Sequence, residues 1–208
     1  MKLFFCIVRF LGGILLITGM CSAATEYSPA HNHYGGTMNN KVLVAYASRS
    51  GSTMEIADSV GKILAESGCA VDVLPVKEVT SVKDYSAVVL GSAIWGGKLL
   101  PEAMAFVKQY KPVIAGKPLA VFVVCLTMKD DTPENRKKVN AYLIPLRGEV
   151  TPQSTGLFAG KMSYAKINVF LRFMVKHMIK APEGDFRDWT KIRAWAKELG
   201  DTFSEEKK

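Results

Sequence analysis

Apolar residues fall in two kinds of run along this chain. Stretches such as VLVAY, AVVLG and LAVFVVC are apolar without interruption, as expected of parallel strands covered on both faces. Between them, apolar positions recur at helical spacing. The pattern predicts strand 41–47, helix 53–67, strand 70–75, strand 86–91, helix 99–110, strand 118–125, helix 133–146, strand 154–159 and a last helix 187–204. Such alternation implies right-handed crossovers and an α/β, doubly wound sheet of five parallel strands. The strand order 2-1-3-4-5 suits it, with a ligand crevice at the carboxyl ends of strands 1 and 3.

The first strand runs into Ser48-Arg49-Ser50-Gly51-Ser52-Thr53, where a helix opens. An oxyanion there would meet unpaired backbone N–H groups, the positive end of the helix dipole and four hydroxyls, while Gly51 permits close approach. The plainer reading is a turn followed by a helix cap. The loop lacks the Lys of GxxxxGK and the spacing of GxGxxG, which disfavours ATP and dinucleotides. It resembles the (T/S)x(T/S)Gx(T/S) phosphate loop of flavodoxins, which holds the phosphate of FMN with hydroxyls and amides and without a cation. FMN is therefore the expected ligand.

That geometry places the loop after strand 3 beside the phosphate loop. It reads Gly91-Ser92-Ala93-Ile94-Trp95-Gly96-Gly97-Lys98, and Ala93, Ile94, Trp95, Gly96 and Gly97 are candidate ring contacts. Trp95 suits stacking and the glycines suit close backbone approach; alternatively Trp95 packs into the core while the glycines turn the chain. Leu126 and Thr127, after strand 4, would reach the other side of the ring.

At 208 residues and 49% hydrophobic content, one domain with a substantial core is expected. The formal charge of +8 is local: between Glu149 and Glu183 there is no acid, but Lys161, Lys166, Arg172, Lys176 and Lys180 are present. Within that interval Ile167, Phe170, Leu171, Met174, Val175, Met178 and Ile179 alternate with the cations at helical spacing. Residues 161–182 thus read as a basic amphipathic insertion. It suits an anionic membrane surface through Lys166, Arg172, Lys176 and Lys180, or packing on the domain as an ordinary surface helix. Its aromatics lie on the apolar face, which disfavours nucleic acid.

Residues 1–24 read as a signal peptide or membrane anchor, with Lys2 and Arg9 about an apolar run and Cys21-Ser22-Ala23-Ala24 after it. Cleavage, retention or lipid attachment at Cys21 would each leave the rest exported or membrane-associated. Translation from Met38 would leave it cytoplasmic. Residues 25–40 read as a linker and 41–208 as the folded domain. Cys69 and Cys125 fall on non-adjacent strands, so they are expected unpaired and buried. His31, His33 and His177 have no ligand-like spacing, and no metal site is expected.

From about residue 41 to the end the chain resembles the flavodoxin superfamily, and more narrowly the flavodoxin-like, quinone-dependent protoporphyrinogen oxidases. The motifs VLVAYASRSGST, VVLGSAIWGGKLLPEAMAFVK, Thr132-Pro133-Glu134, Asn140-Ala141-Tyr142 and LFAGKMSY...LRFMVKHMIK carry the likeness, the last where that family has an AGxxxY...RFMIKxIMK-like stretch. The resemblance implies non-covalent FMN, held by Ser48, Ser50, Gly51 and Thr53 at the phosphate and by Trp95 near the ring. It implies chemistry carried by the flavin, with no catalytic side chain, and electrons passed from a reduced substrate to a quinone or redox partner. The alternative is a flavodoxin-like electron carrier without its own small-molecule substrate. Two features depart from the family pattern: the targeting segment, and Trp95-Gly96-Gly97 where those oxidases tend to carry Arg and Tyr. The second leaves the substrate open.

Overall fold

The structure, a computed structural model, describes residues 32–35, 37–163 and 183–205. Its strands are β1 (Asn32–Tyr34), β2 (Thr37–Ala47), β3 (Cys69–Pro75), β4 (Ala87–Trp95), β5 (Lys98–Leu99), β6 (Leu119–Val124), β7 (Ser154–Phe158), β8 (Lys161–Met162) and β9 (Gly184–Asp185). The helices are α1 (Ser52–Glu66), α2 (Pro101–Ile114), α3 (Pro133–Tyr142), α4 (Ile144–Arg147) and α5 (Trp189–Glu205), with a 3-10 turn at Leu126–Lys129.

The main sheet runs β1-β3-β2-β4-β6-β7. Its five parallel members, β3-β2-β4-β6-β7, have the expected order 2-1-3-4-5. Successive residues of each strand point to opposite faces, which divides the core in two. Leu43, Ala45, Val88, Leu90, Val121 and Val123 face α2 and α3, where Phe106, Val107, Ile114 and Val139 are buried. Val42, Val44, Val89, Ala120, Phe122 and Val124 face α1 and α5, meeting Ile56, Val60, Leu64, Ile192, Trp195 and Leu199. The result is three layers, helices on both sides of a sheet, with every β2 residue from Val42 to Ala47 buried. Cys69, at the start of β3, and Cys125, just past β6, are buried and unbridged.

The structure differs from the sequence reading at three places, the first two with evident physical causes. Residues 32–34, expected in a linker, form an antiparallel edge strand on β3, and β2 starts at Thr37. Side chains hold the edge: Tyr34 and Asn32 donate to Asp58 of α1, and His33 contacts Asp72 of β3. Gly61 makes room, since a Cβ there would lie 2.5 Å from Val73 and 3.3 Å from the Tyr34 ring. Second, helix 133–146 is divided at Leu143, where Pro145 opens a new turn as a residue without an N–H to donate. Third, α2 runs on to Ile114 through Pro112.

The expected targeting segment 1–24, and positions 164–182 of the insertion with Lys166, Arg172, Lys176 and Lys180, lie outside the described residues, while Lys161 and Met162 at its start form the short strand β8. No helix among the described residues is long and apolar enough to cross a membrane.

Candidate functional site

The turn between β2 and α1 is built around its own donors. Gly51 stands at φ 90°, a conformation costly for any residue with a Cβ. Its N–H donates to Ser48 Oγ at 3.1 Å, and its carbonyl accepts from Glu55 N at 3.0 Å, which starts the helix. Among the described residues no side chain caps the N-terminus of α1. Thr53, in the first turn, is fully buried, and its Oγ1 has no hydrogen-bond partner. Buried hydroxyls are nearly always paired, so this one marks a place where a polar partner belongs.

The neighbouring loop is a hairpin, β4 turning into β5 with Ile94 opposite Leu99 and Trp95 opposite Lys98. Gly96 and Gly97 at the turn have φ of 57° and 76°, the paired positive values a tight hairpin requires. Ser92 anchors its base: the buried hydroxyl accepts from Leu100 N at 3.2 Å and donates to Ala93 O at 2.9 Å. Trp95 at the tip is 49% exposed, which excludes the core-packed alternative.

A cleft of about 310 Å³ joins these loops. Arg49, Ser50, Ser52 and Thr53 line one end, Ala93 to Gly97 one wall, and Val124 to Thr127 the floor. Two of the sequence-predicted residues do not line it: the Ser48 hydroxyl is turned to the Gly51 amide, and Gly51 is buried beneath the loop. Ser48 instead borders a second hollow of about 210 Å³ with Tyr46, Lys77 and Glu102.

Sequence reasoning missed Tyr142, Gly160, Lys161 and Met162, which complete the cleft. Tyr142 comes from the end of α3, and Gly160 to Met162 follow β7; neither follows the strands that the switch-point rule singles out. Gly160 is tightly placed, since a Cβ on it would sit 3.1 Å from Val124 and 3.4 Å from Ser52 Oγ, a constraint that only the packed structure reveals. The lining includes the cations Arg49 and Lys161 and, among the described residues, no acid. Arg49 is half-exposed, its guanidinium 4.0 Å from Glu102. Burial pushes the Cys125 thiol in the floor above its ordinary pKa, so it is a neutral apolar contact.

Comparison with known proteins agrees with the fold. The family described as flavodoxin domain matches residues 43–188. The protoporphyrinogen IX dehydrogenase (quinone) of Leishmania major is 29% identical over 172 residues, 76% of this chain and 74% of that protein. Its counterpart from Escherichia coli (strain K12) is 26% identical over 172 residues, 76% of this chain and 94% of that protein. Among solved structures, oxidised flavodoxin 1 from Bacillus cereus matches with a TM-score of 0.51 at 18% identity, over 81% of this chain and 100% of that chain, a likeness of fold.

Proposed function

Because this chain belongs to the flavodoxin domain family, we propose that it is an FMN-dependent oxidoreductase that takes electrons from a reduced substrate and passes them to a quinone. Membership implies a flavin and redox chemistry; the choice of FMN rests on the loop. The observation that carries it is the partnerless, fully buried hydroxyl of Thr53 at the uncapped start of α1. Hydroxyls and helix N-terminal amides suit a phosphate monoester.

FMN, when bound, supplies electron and hydride transfer. The chain binds and orients. Ser50, Ser52 and Thr53 would hold the phosphate, Trp95 would stack on the ring, and the Gly96–Gly97 turn would bring backbone amides against its edge. Val124, Cys125 and Leu126 would keep water from the inner face. Relatives named as protoporphyrinogen IX dehydrogenase (quinone) support a tetrapyrrole reductant. Its carboxylates suit a cleft that carries Arg49 and Lys161 and no acid.

The test has two stages. Purified protein is given FMN, free flavin is removed by gel filtration, and the absorbance is recorded; then protoporphyrinogen IX and a soluble quinone are supplied without oxygen. About one bound flavin with turnover is expected. A colourless protein would overturn the proposal. Bound flavin that exchanges electrons with protein partners but oxidises no porphyrinogen would favour the carrier reading.

A further inference from the structure

Arg187 is a buried cation with no place in the cleft. Its side chain is 4% exposed. Asp185 accepts from Nε at 2.8 Å and from Nη2 at 2.6 Å, Glu55 accepts from Nη1 at 2.5 Å, and the Trp189 ring lies 4.5 Å from Cζ. A guanidinium is buried only when its donors are met by such partners. One partner, Asp185, is local. The other, Glu55, is 132 positions away in sequence and stands in the first turn of α1.

The contact falls where the anion site is. Glu55 N–H donates to the Gly51 carbonyl the hydrogen bond that starts the helix. Phe186, beside Arg187, donates its N–H to Gly160 O at 3.2 Å, and Gly160 lies against Ser52. The segment from Asp185 to Arg187 therefore braces the first turn at both Ser52 and Glu55. A carboxylate in that turn stabilises an empty helix, because it meets the positive end of the dipole. It opposes a dianion bound at the same end.

We propose that Arg187 is a positioning residue of the anion site: by binding Glu55 it holds that carboxylate and offsets part of its charge, so that the first turn of α1 can take a phosphate monoester. The inference rests on reading the cleft as a phosphate site. It predicts an effect specific to phosphate, which a merely structural brace would not give.

The experiment titrates apoprotein with FMN and with riboflavin, the same ring and ribityl chain without phosphate. The wild type is compared with Arg187→Met, Glu55→Gln and the double variant, each first checked for folding by thermal melting. Arg187→Met is expected to weaken FMN about tenfold and riboflavin less than twofold, given the charge separation within one helical turn. The double variant should regain most of the loss, and Glu55→Gln alone should bind FMN at least as tightly as the wild type. Equal losses for both ligands, or no recovery in the double variant, would overturn the inference and leave the phosphate site standing. Should Arg187→Met fail to fold, Glu55→Gln decides, since weaker FMN binding in it contradicts the proposal. A wild type that binds riboflavin as tightly as FMN would overturn the phosphate reading and this inference with it.

Discussion

The ring of Tyr142 lies over Gly97, so close that a Cβ on the glycine would stand 3.3 Å from its Cε1. The end of α3 thereby backs the hairpin whose tip carries Trp95.

Two costs coincide at Gly97, a φ of 76° and the Tyr142 ring, whereas Gly96, at 57°, meets nothing within 4 Å. Gly97→Ala should destabilise the protein by about 1–3 kcal/mol, the range for a non-glycine residue held at positive φ, and Gly96→Ala by less. Chemical denaturation measures both. Adding Tyr142→Ala should recover the steric part; a double variant no more stable than the sum of its parts would show that the ring does not press on the turn.

Thr53→Val should act with opposite signs on folding and binding. The flavin-free protein loses a buried hydroxyl without a partner, so its stability should hold or rise, by up to about 1 kcal/mol. FMN affinity should fall by about 1.5–3 kcal/mol, the worth of a hydrogen bond to a charged group. Calorimetric melting and fluorescence titration read the two effects. Loss of stability with unchanged FMN affinity would remove Thr53 from the phosphate site.

Trp95 is the exposed tryptophan among the chain's 3, so Trp95→Ala should change stability by no more than about 0.5 kcal/mol. Flavin binding should weaken by about 0.5–1.5 kcal/mol through lost stacking, and the quenching of protein fluorescence on adding FMN should shrink. Quenching equal to the wild type would place the ring away from the indole.

Asp72 supplies an acid-sensitive support on β3. Burial alone would raise its pKa, but hydrogen bonds from Tyr85 at 2.6 Å and Lys41 at 2.9 Å, with His33, hold it below the ordinary carboxylate range. The sign follows: this stability is fully present above about pH 3.9, the unfolded carboxyl value, and is lost as pH falls through the lower folded value. Asp72→Asn should therefore cost about 3–5 kcal/mol at neutral pH, as for other broken buried pairs, and progressively less in acid. Urea unfolding from pH 7 to pH 2.5 checks it; a constant difference would show that the charge of Asp72 is not what stabilises.

Much of the fold was legible because the information is local. Runs such as VLVAY and LAVFVVC must be covered on both faces, which implies strands between helices and a central sheet; the order was chosen as the doubly wound pattern that suits a ligand loop after the first strand. The turn proposed to hold the phosphate was visible for the same reason: Ser50, Gly51, Ser52 and Thr53 are adjacent in sequence and fall together at the start of α1.

What sequence by itself determined, then, is a doubly wound sheet with a glycine- and hydroxyl-rich turn after its first parallel strand and an aromatic, glycine-bearing loop beside it. Tertiary structure alone decided that Tyr142 reaches the cleft, that residues 32–34 cover the edge of β3, and that Arg187 meets Glu55. The physical reason is that hydrogen-bonding periodicity and turn chemistry act over a few neighbouring residues. The position of a side chain borne by a distant helix or strand depends instead on how whole layers pack, and no local pattern records that.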